Sequence, residues 1–227
     1  MTEHMDLELE ATDRIDVRPI AAIGYQKPDV HCYVTADEGV LRRVVDNDPD
    51  VAGLILLMDF TEHTDDEVGH ALINNSQIQM LDLRVFAPRP RFLPSFCGLL
   101  ALNRSIEHLL VRGIYSNDSE VDLFSYLAPF LAHNHNLRCI EVTFSKMAMN
   151  METIVSTLSQ PRKSRLERID FSNNSIRDTY AATLLNGFNE MPGLCYLLEL
   201  CLARNEIGLV GCEALCNLLT NSKYSIP

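Results

Sequence analysis

Two neighbouring stretches of the chain decide the fold: LERIDFSNNSI at residues 166–176 and LLELCLARNEI at residues 197–207. Both follow the spacing LxxLxLxxNxI, in which the apolar positions precede an asparagine. Apolar residues at helical spacing follow each copy, so the unit is predicted to be a strand and then a helix. A unit of this size cannot bury its apolar face alone, and successive units are therefore expected to stack.

The same spacing of apolar anchors can be followed back through the chain. Units begin at residues 51, 78, 106, 137, 166 and 197, at intervals of 27 to 31 residues. Intervals of this length leave room for a full α-helix after each strand and are typical of leucine-rich repeats. Residues 51–227 are therefore predicted to form six leucine-rich repeats.

The N-terminal part of the chain is less regular. Residues 1–18 are predicted to be an acidic, mobile N-terminus. Residues 19–50 are interpreted as an N-terminal cap or a degenerate first repeat, since their apolar residues fit the spacing with Pro28 in the asparagine position. Both interpretations stay open because proline supplies no backbone donor there.

The run LxxLxLxxNxIGxxGCxxLCxxL over residues 197–219 resembles the ribonuclease-inhibitor type of leucine-rich repeat. This resemblance implies an α/β fold, a leucine-rich-repeat solenoid (horseshoe) with parallel strands on the concave face and helices on the convex face. It covers about residues 51–222 and is strongest over the last two units. In the four earlier units the asparagine position holds Asp59, Phe86, Ile114 and Ser145.

Several residues that attract attention have a structural interpretation. The amides of Asn174 and Asn205 are expected to satisfy backbone groups where the strand turns away from the sheet. Cys212 and Cys216, one helical turn apart, are predicted to pack in the core as small apolar side chains. Residues 133–136 are predicted to form a solvated turn. No metal and no cofactor are expected.

The acidic charge lies at one end of the chain. The formal net charge is −12, and residues 1–70 alone hold 17 acidic and 5 basic residues. Such a field disfavours nucleic acid and anionic membranes and favours a partner with a basic surface. A solvating acidic tail is the simpler explanation of the same charge. Seven cysteines without a signal peptide indicate reduced thiols and a cytoplasmic or nuclear protein.

The candidate site is the concave surface of the predicted sheet. Side chains alternate along a strand, so residues between the apolar anchors are expected to face that surface. The predicted partner-binding residues form a stripe of both signs: Asp82, Arg84, Glu107, Arg112, Arg138, Glu141, Arg168, Asp170, Glu199 and Arg204. Extended concave surfaces are the common binding surfaces of solenoids. The alternative is that opposite charges neutralise one another and only solvate the sheet.

These observations favour an intracellular protein–protein interaction module that binds a protein partner on its concave face. The chain has neither GxSxG nor GxxxxGK[ST], so an enzyme is not expected. One alternative is a GTPase-activating protein, because Ran GTPase activators are built from similar repeats. Another is a sensor or scaffold fragment of a larger receptor. The identity of the partner and the oligomeric state stay open.

Overall fold

The computed structural model describes residues 32–34, 38–58, 64–85, 93–112, 123–144, 151–159, 166–191 and 196–221. The acidic segment 1–18 lies outside these ranges. So do Asp59, Phe86, Ile114 and Ser145, the residues that replace asparagine in the earlier units.

Strands and helices alternate along the described part of the chain. The seven strands are β1 (Cys32–Val34), β2 (Gly53–Met58), β3 (Met80–Val85), β4 (His108–Arg112), β5 (Cys139–Thr143), β6 (Arg168–Asp170) and β7 (Glu199–Cys201). The helices are α1 (Glu38–Val45), α2 (Thr64–Asn74), α3 (Leu93–Leu100), α4 (Leu123–His133), α5 (Met151–Ser159), α6 (Asp178–Glu190) and α7 (Leu209–Thr220). None of the helices within the described ranges is long and apolar enough to cross a bilayer.

The strands form one sheet in the order of the chain, and every neighbouring pair is parallel. This arrangement confirms the predicted α/β solenoid, with the strands on the concave side and the helices on the convex side. Strand β1 and helix α1 lie within residues 19–50 and repeat the strand–helix order of the later layers. The proposed division into a mobile segment, a cap and six repeats stays a prediction.

The apolar anchors form continuous rows across the sheet. One row joins the strand partners Leu54, Leu81, Leu109, Ile140, Ile169 and Leu200. The first five side chains in this row have 0% exposure. Each is buried because the layers on both sides cover it, which is the packing that the 27-to-31-residue spacing predicts.

The two asparagines of the repeat pattern have the predicted structural role. The Asn174 amide nitrogen donates to the carbonyl oxygens of Val142 (2.6 Å) and Phe171 (2.8 Å). The Asn205 Oδ1 in turn accepts from the backbone N–H groups of Asn174 (3.0 Å) and Ile176 (3.1 Å). These bonds link consecutive layers at the carboxyl ends of the strands, where the chain leaves the sheet.

A second asparagine ladder lies at the opposite ends of the strands. Asn75, Asn103 and Asn134 each precede the first anchor of a unit by three residues, and their exposures are 4%, 0% and 0%. The prediction of a solvated turn at residues 133–136 is therefore wrong for Asn134. The turn itself is near the surface, but the amide points inward because the helix-to-strand turn leaves backbone groups that need partners.

Asn103 shows how this second ladder works. Its amide nitrogen donates to the carbonyl oxygens of Leu72 (2.7 Å) and Asn75 (3.1 Å) in the preceding layer. Its Oδ1 accepts from the backbone N–H groups of Ser105 (2.9 Å) and Ile106 (3.0 Å) in its own turn. One side chain thus holds two layers together and shapes the entry into β4.

An acidic side chain links the last two helices. Asp178, in the first turn of α6, accepts hydrogen bonds from the backbone N–H groups of Gly211 (2.6 Å), Gly208 (2.9 Å) and Val210 (3.2 Å). These groups belong to the start of α7, where helical N–H groups lack partners within the helix. The bond from Gly211 does most to lower the pKa of the Asp178 carboxyl, and the bonds from Val210 and Gly208 add to it.

We expect Asn103→Ala to lower the free energy of unfolding by about 3 kcal/mol, because it leaves several buried backbone groups without a partner. Urea denaturation measures this loss. Asn186→Ala is the matched control, since Asn186 is exposed on α6, and it should change stability by less than about 0.5 kcal/mol. Equal effects of the two substitutions would contradict a structural role for the ladder.

Asp178 should make stability depend on pH in a defined direction. Its pKa is lower in the folded chain than the ordinary value of 3.8, so its stabilisation is present above that value and is lost as the pH falls through the folded pKa. The difference in urea midpoint between the native chain and Asp178→Asn should therefore shrink between about pH 6 and about pH 3. A difference that does not change with pH would contradict the assignment.

Candidate functional site on the concave face

The floor of the concave face is closely packed at its centre. Met80, His108 and Cys139 are strand partners in one row, and Leu110 lies in the next row that faces the same way. All four side chains are at most 5% exposed. The Asp, Glu and Arg side chains therefore lie around and beside this packed centre.

One group of charges joins β3, β4 and β5. The Arg84 Nη2 lies 3.2 Å from Asp82 Oδ2, and the Arg112 Nη2 lies 3.0 Å from Glu141 Oε1. Arg112 also reaches back to Asp82, with 3.7 Å between Nε and Oδ1. Asp82 is only 4% exposed, so its carboxylate is held beneath the two guanidinium groups and offers a partner little surface.

A second group lies on β6 and β7. The Arg168 guanidinium pairs with Asp170 at 2.8 Å on its own strand and with Glu199 on the next strand. Burial alone would lower the pKa of Arg168, but the hydrogen bond to Glu199 and the charges of Glu199 and Asp170 outweigh it, so the pKa is raised. Arg168 therefore stays charged and holds two strands together.

A third group lies one residue before β4, β5 and β6. Arg138 makes hydrogen bonds of 2.8 Å to both carboxylate oxygens of Glu167 and lies 3.9 Å from Glu107. Glu167 was not among the predicted site residues, although it directly precedes Arg168. Glu167 directly follows the first anchor of its unit, as Glu107 and Arg138 do in theirs. This shared repeat position could have identified it from the sequence.

All ten predicted site residues lie on or beside this face. Nine belong to the three charged groups, and Arg204 lies exposed in the turn after β7. The nine charges pair with one another, as the alternative of mutual neutralisation describes. Asp82 and Asp170 are buried. The assignment of the ten residues to partner binding stays a prediction.

An exposed aromatic residue at the rim of the concave face was not among the predicted site residues. Phe144 directly follows β5 and is 49% exposed. It occupies the repeat position just before the asparagine position, as Asn173 and Arg204 do in the next two layers. All three have a left-handed backbone, with φ of 56°, 60° and 56°. We call Phe144, Asn173 and Arg204 the rim row.

The two cysteines of α7 do not have the predicted burial. Cys212 and Cys216 were predicted to pack in the core, but both are exposed on α7. The prediction is wrong because the described chain places no further layer over this helix. Within the described ranges, no three His, Cys, Asp or Glu side chains are grouped closely enough to hold a metal ion.

Comparison with known proteins adds little to this geometry. No protein-family model and no curated protein matches the chain. Among solved structures, one titled as actin-binding site 2 of leiomodin-1 matches with a TM-score of 0.37 and 18% identity, over 80% of this chain and 86% of that chain. A match at this level carries no argument about the partner of this chain.

The pairing of Arg112 with Glu141 can be measured by a double-mutant cycle. With both side chains largely covered, we expect a coupling energy of about 1 kcal/mol from Arg112→Gln, Glu141→Gln and the double variant. The control pair is Arg177 and Glu206, which are 3.9 Å apart and 77% and 63% exposed, and whose coupling should stay below about 0.3 kcal/mol. Equal coupling in both cycles would contradict the geometry.

Proposed function

We propose that the chain is an intracellular protein-interaction module, a leucine-rich-repeat solenoid of the ribonuclease-inhibitor type that binds a protein partner along the concave face and its rim row. The observation that carries this proposal is Phe144, a large apolar side chain held in solvent where the backbone is unfavourable for it.

The backbone conformation of Phe144 lowers the stability of the fold, which supports a role for this residue in binding. A left-handed backbone is unusual for a bulky residue and costs on the order of 1–2 kcal/mol, whereas asparagine adopts it readily. Asn173 fills the equivalent position one layer later. Because Phe144 is 49% exposed, the free chain gains little burial in return. A partner that covered this ring would bury its apolar surface and so offset the cost of the backbone conformation.

The charges beside the rim row suit recognition. Arg112 is the strand partner of Thr143, the residue before Phe144, so a partner that covers the ring also meets this guanidinium. The side chain of Arg112 is already held by Glu141, which reduces the entropy lost on binding. Glu107 and Glu167 outnumber Arg138 in the third group, which favours a partner with basic residues.

We propose that the chain acts by binding and not by catalysis, in the cytoplasm or nucleus. The paired charges of the concave face support this choice, because neutralised and packed groups are suited to recognition. A GTPase-activating role and a sensor or scaffold role stay alternatives. A GTP-hydrolysis assay with candidate GTPases separates the first of these from simple binding.

Phe144→Asn separates binding from folding because the two effects have opposite signs. The substitution should leave the free energy of unfolding unchanged or raise it by about 0.5–1 kcal/mol, since asparagine tolerates the backbone. It should weaken partner binding at least about 10-fold. Quantitative affinity purification from cell extract, followed by mass spectrometry, measures the binding effect, and urea denaturation measures stability.

The matched control is Tyr180→Ala, because Tyr180 is an aromatic residue of similar exposure, 44%, on the convex helix α6. It should leave the recovered partners unchanged. If Phe144→Asn recovers the same partners at the same level, or if Tyr180→Ala loses them, the concave rim is not the binding surface.

A further inference from the structure

A row of hydrogen-bond donors crosses the concave face near the carboxyl ends of three strands. Arg84 of β3 is the strand partner of Arg112 of β4, and Arg112 is the strand partner of Thr143 of β5. Each of the three directly follows a buried anchor on its strand, so its side chain lies on the opposite, concave side of the sheet. We call Arg84, Arg112 and Thr143 the donor row.

The two guanidinium groups have more donors than the carboxylates of the chain use. Each guanidinium carries five N–H donors. Arg84 donates from Nε and Nη2 to Asp82 Oδ2, at 3.3 and 3.2 Å. Arg112 donates from Nη2 to Glu141 Oε1 at 3.0 Å. Among the described residues, none accepts a hydrogen bond from the Nη1 of either arginine, so both side chains keep donors that a partner can use.

These remaining donors are accessible. The side chains of Arg84 and Arg112 are 25% and 27% exposed. Within the described ranges, the fully buried side-chain nitrogen and oxygen atoms that lack a hydrogen-bond partner are Asp82 Oδ1 and Arg112 Nε. Neither Nη1 belongs to this set, and neither does the Thr143 hydroxyl, which bonds to no described residue. All three groups therefore reach the surface of the concave face.

Arg112 is also held only loosely from below. Its Nε lies 3.7 Å from Asp82 Oδ1, which is too long for a hydrogen bond, although both atoms are buried. Buried polar groups normally have partners, and leaving them without one costs free energy. The carboxylates of the chain thus do not satisfy the guanidinium of Arg112 completely.

We propose that the donor row binds the carboxylate of an acidic side chain on the protein partner. This inference rests on the proposed binding function and adds the chemistry of one contact. Neighbouring strands are about 4.8 Å apart, so the two guanidinium groups stand side by side and one carboxylate can accept a hydrogen bond from each. The Thr143 hydroxyl supplies a third donor. Several donors are needed because a carboxylate loses its hydration when a partner covers it.

Charge favours a carboxylate over a phosphate at the donor row. Asp82 and Glu141 balance the two arginines, so this group of four side chains has no net charge before binding. The whole chain carries a formal charge of −12. A carboxylate adds one negative charge, whereas a phosphorylated side chain adds about 1.5 to 2. The acidic chain therefore repels the phosphate more strongly.

The donor row also sets the direction of the partner on the sheet. Glu107, in the third charged group, lies just before β4, and Arg112 ends the same strand. At about 3.3 Å per residue, roughly 16 Å separates the two. The floor between them carries His108 and Leu110, which are 3% and 2% exposed. We expect the partner to place its acidic group about 16 Å from the basic group that Glu107 and Glu167 favour.

Selection from a random peptide library displayed on phage tests this chemistry. Peptides enriched on the native chain should share an aspartate or a glutamate. The most enriched peptide, synthesised with a fluorophore, gives dissociation constants by fluorescence anisotropy. Replacing its acidic residue with the matching amide should weaken binding at least about 10-fold, because a charge-assisted contact is lost.

Arg112→Gln tests whether the carboxylate of the peptide meets the donor row. It should weaken the acidic peptide at least about 10-fold but the amide peptide less than about 2-fold, because both changes remove the same contact. The double variant Arg112→Gln with Glu141→Gln should give the same pattern, and it leaves no carboxylate at Glu141 without its arginine. Arg42→Gln is the matched control, since Arg42 is exposed on the convex helix α1. It should bind both peptides like the native chain.

Three results would overturn the carboxylate site. The first is a set of enriched peptides that share no acidic residue. The second is an acidic peptide that Arg112→Gln weakens no more than Arg42→Gln does. The third is a peptide with phosphoserine in place of its acidic residue that binds at least about 10-fold more tightly, which would assign the donor row to a phosphate.

The outcome for Phe144→Asn separates this inference from the proposed function. Acid-dependent binding that Phe144→Asn leaves unchanged would support the donor row and remove the rim row from the binding surface. A library from which no peptide is enriched on the native chain would overturn the proposed binding function and the carboxylate site together.

Discussion

The structure depends on one constraint: a layer of this solenoid is shielded from water only by the layers beside it. Ile169 has 0% exposure because strands lie on both sides of it, while the equivalent Leu200 in the last described strand is only partly buried. Burying such a side chain fully contributes about 1.5–3 kcal/mol. Stability therefore accumulates from neighbouring layers, and the open end is where burial is incomplete.

Backbone groups at both ends of every strand need other hydrogen-bond partners, because the chain turns there and these groups lose their partners in the sheet. Side-chain amides supply the missing bonds at both places. Asn205 does so at the carboxyl end of β7 and Asn103 at the amino end of β4, and each bonds to the layer before it. Asp178 does the same for the first turn of α7. Consecutive layers are therefore joined by hydrogen bonds as well as by apolar packing.

The fold could be predicted because its cause is periodic. The anchors recur every 27 to 31 residues, and the asparagines of the last two units lie at a visible position. The second ladder had a visible signal too, an asparagine three residues before an anchor, but a polar turn alone does not show that Asn134 points inward. The repeat period could not show that Cys216 is exposed, because Cys216 occupies the same repeat position as the buried Leu185.

The candidate site was predicted in outline only. Alternation along the strands placed the charged residues on the correct side of the sheet, but which charges pair depends on distances between strands. Phe144 could not be found from its sequence neighbours, because its importance lies in a left-handed backbone and an exposed ring that appear only in three dimensions.

The most direct measurement of the central claim is a set of methyl–methyl nuclear Overhauser contacts within one anchor row. A stacked parallel sheet predicts an unbroken series of contacts in chain order, from Leu81 to Leu109, Ile140, Ile169 and Leu200. Contacts that skip a layer, such as Leu109 to Ile169 without Ile140, or contacts of an antiparallel register would contradict the stacked parallel sheet and with it the concave face and the rim row.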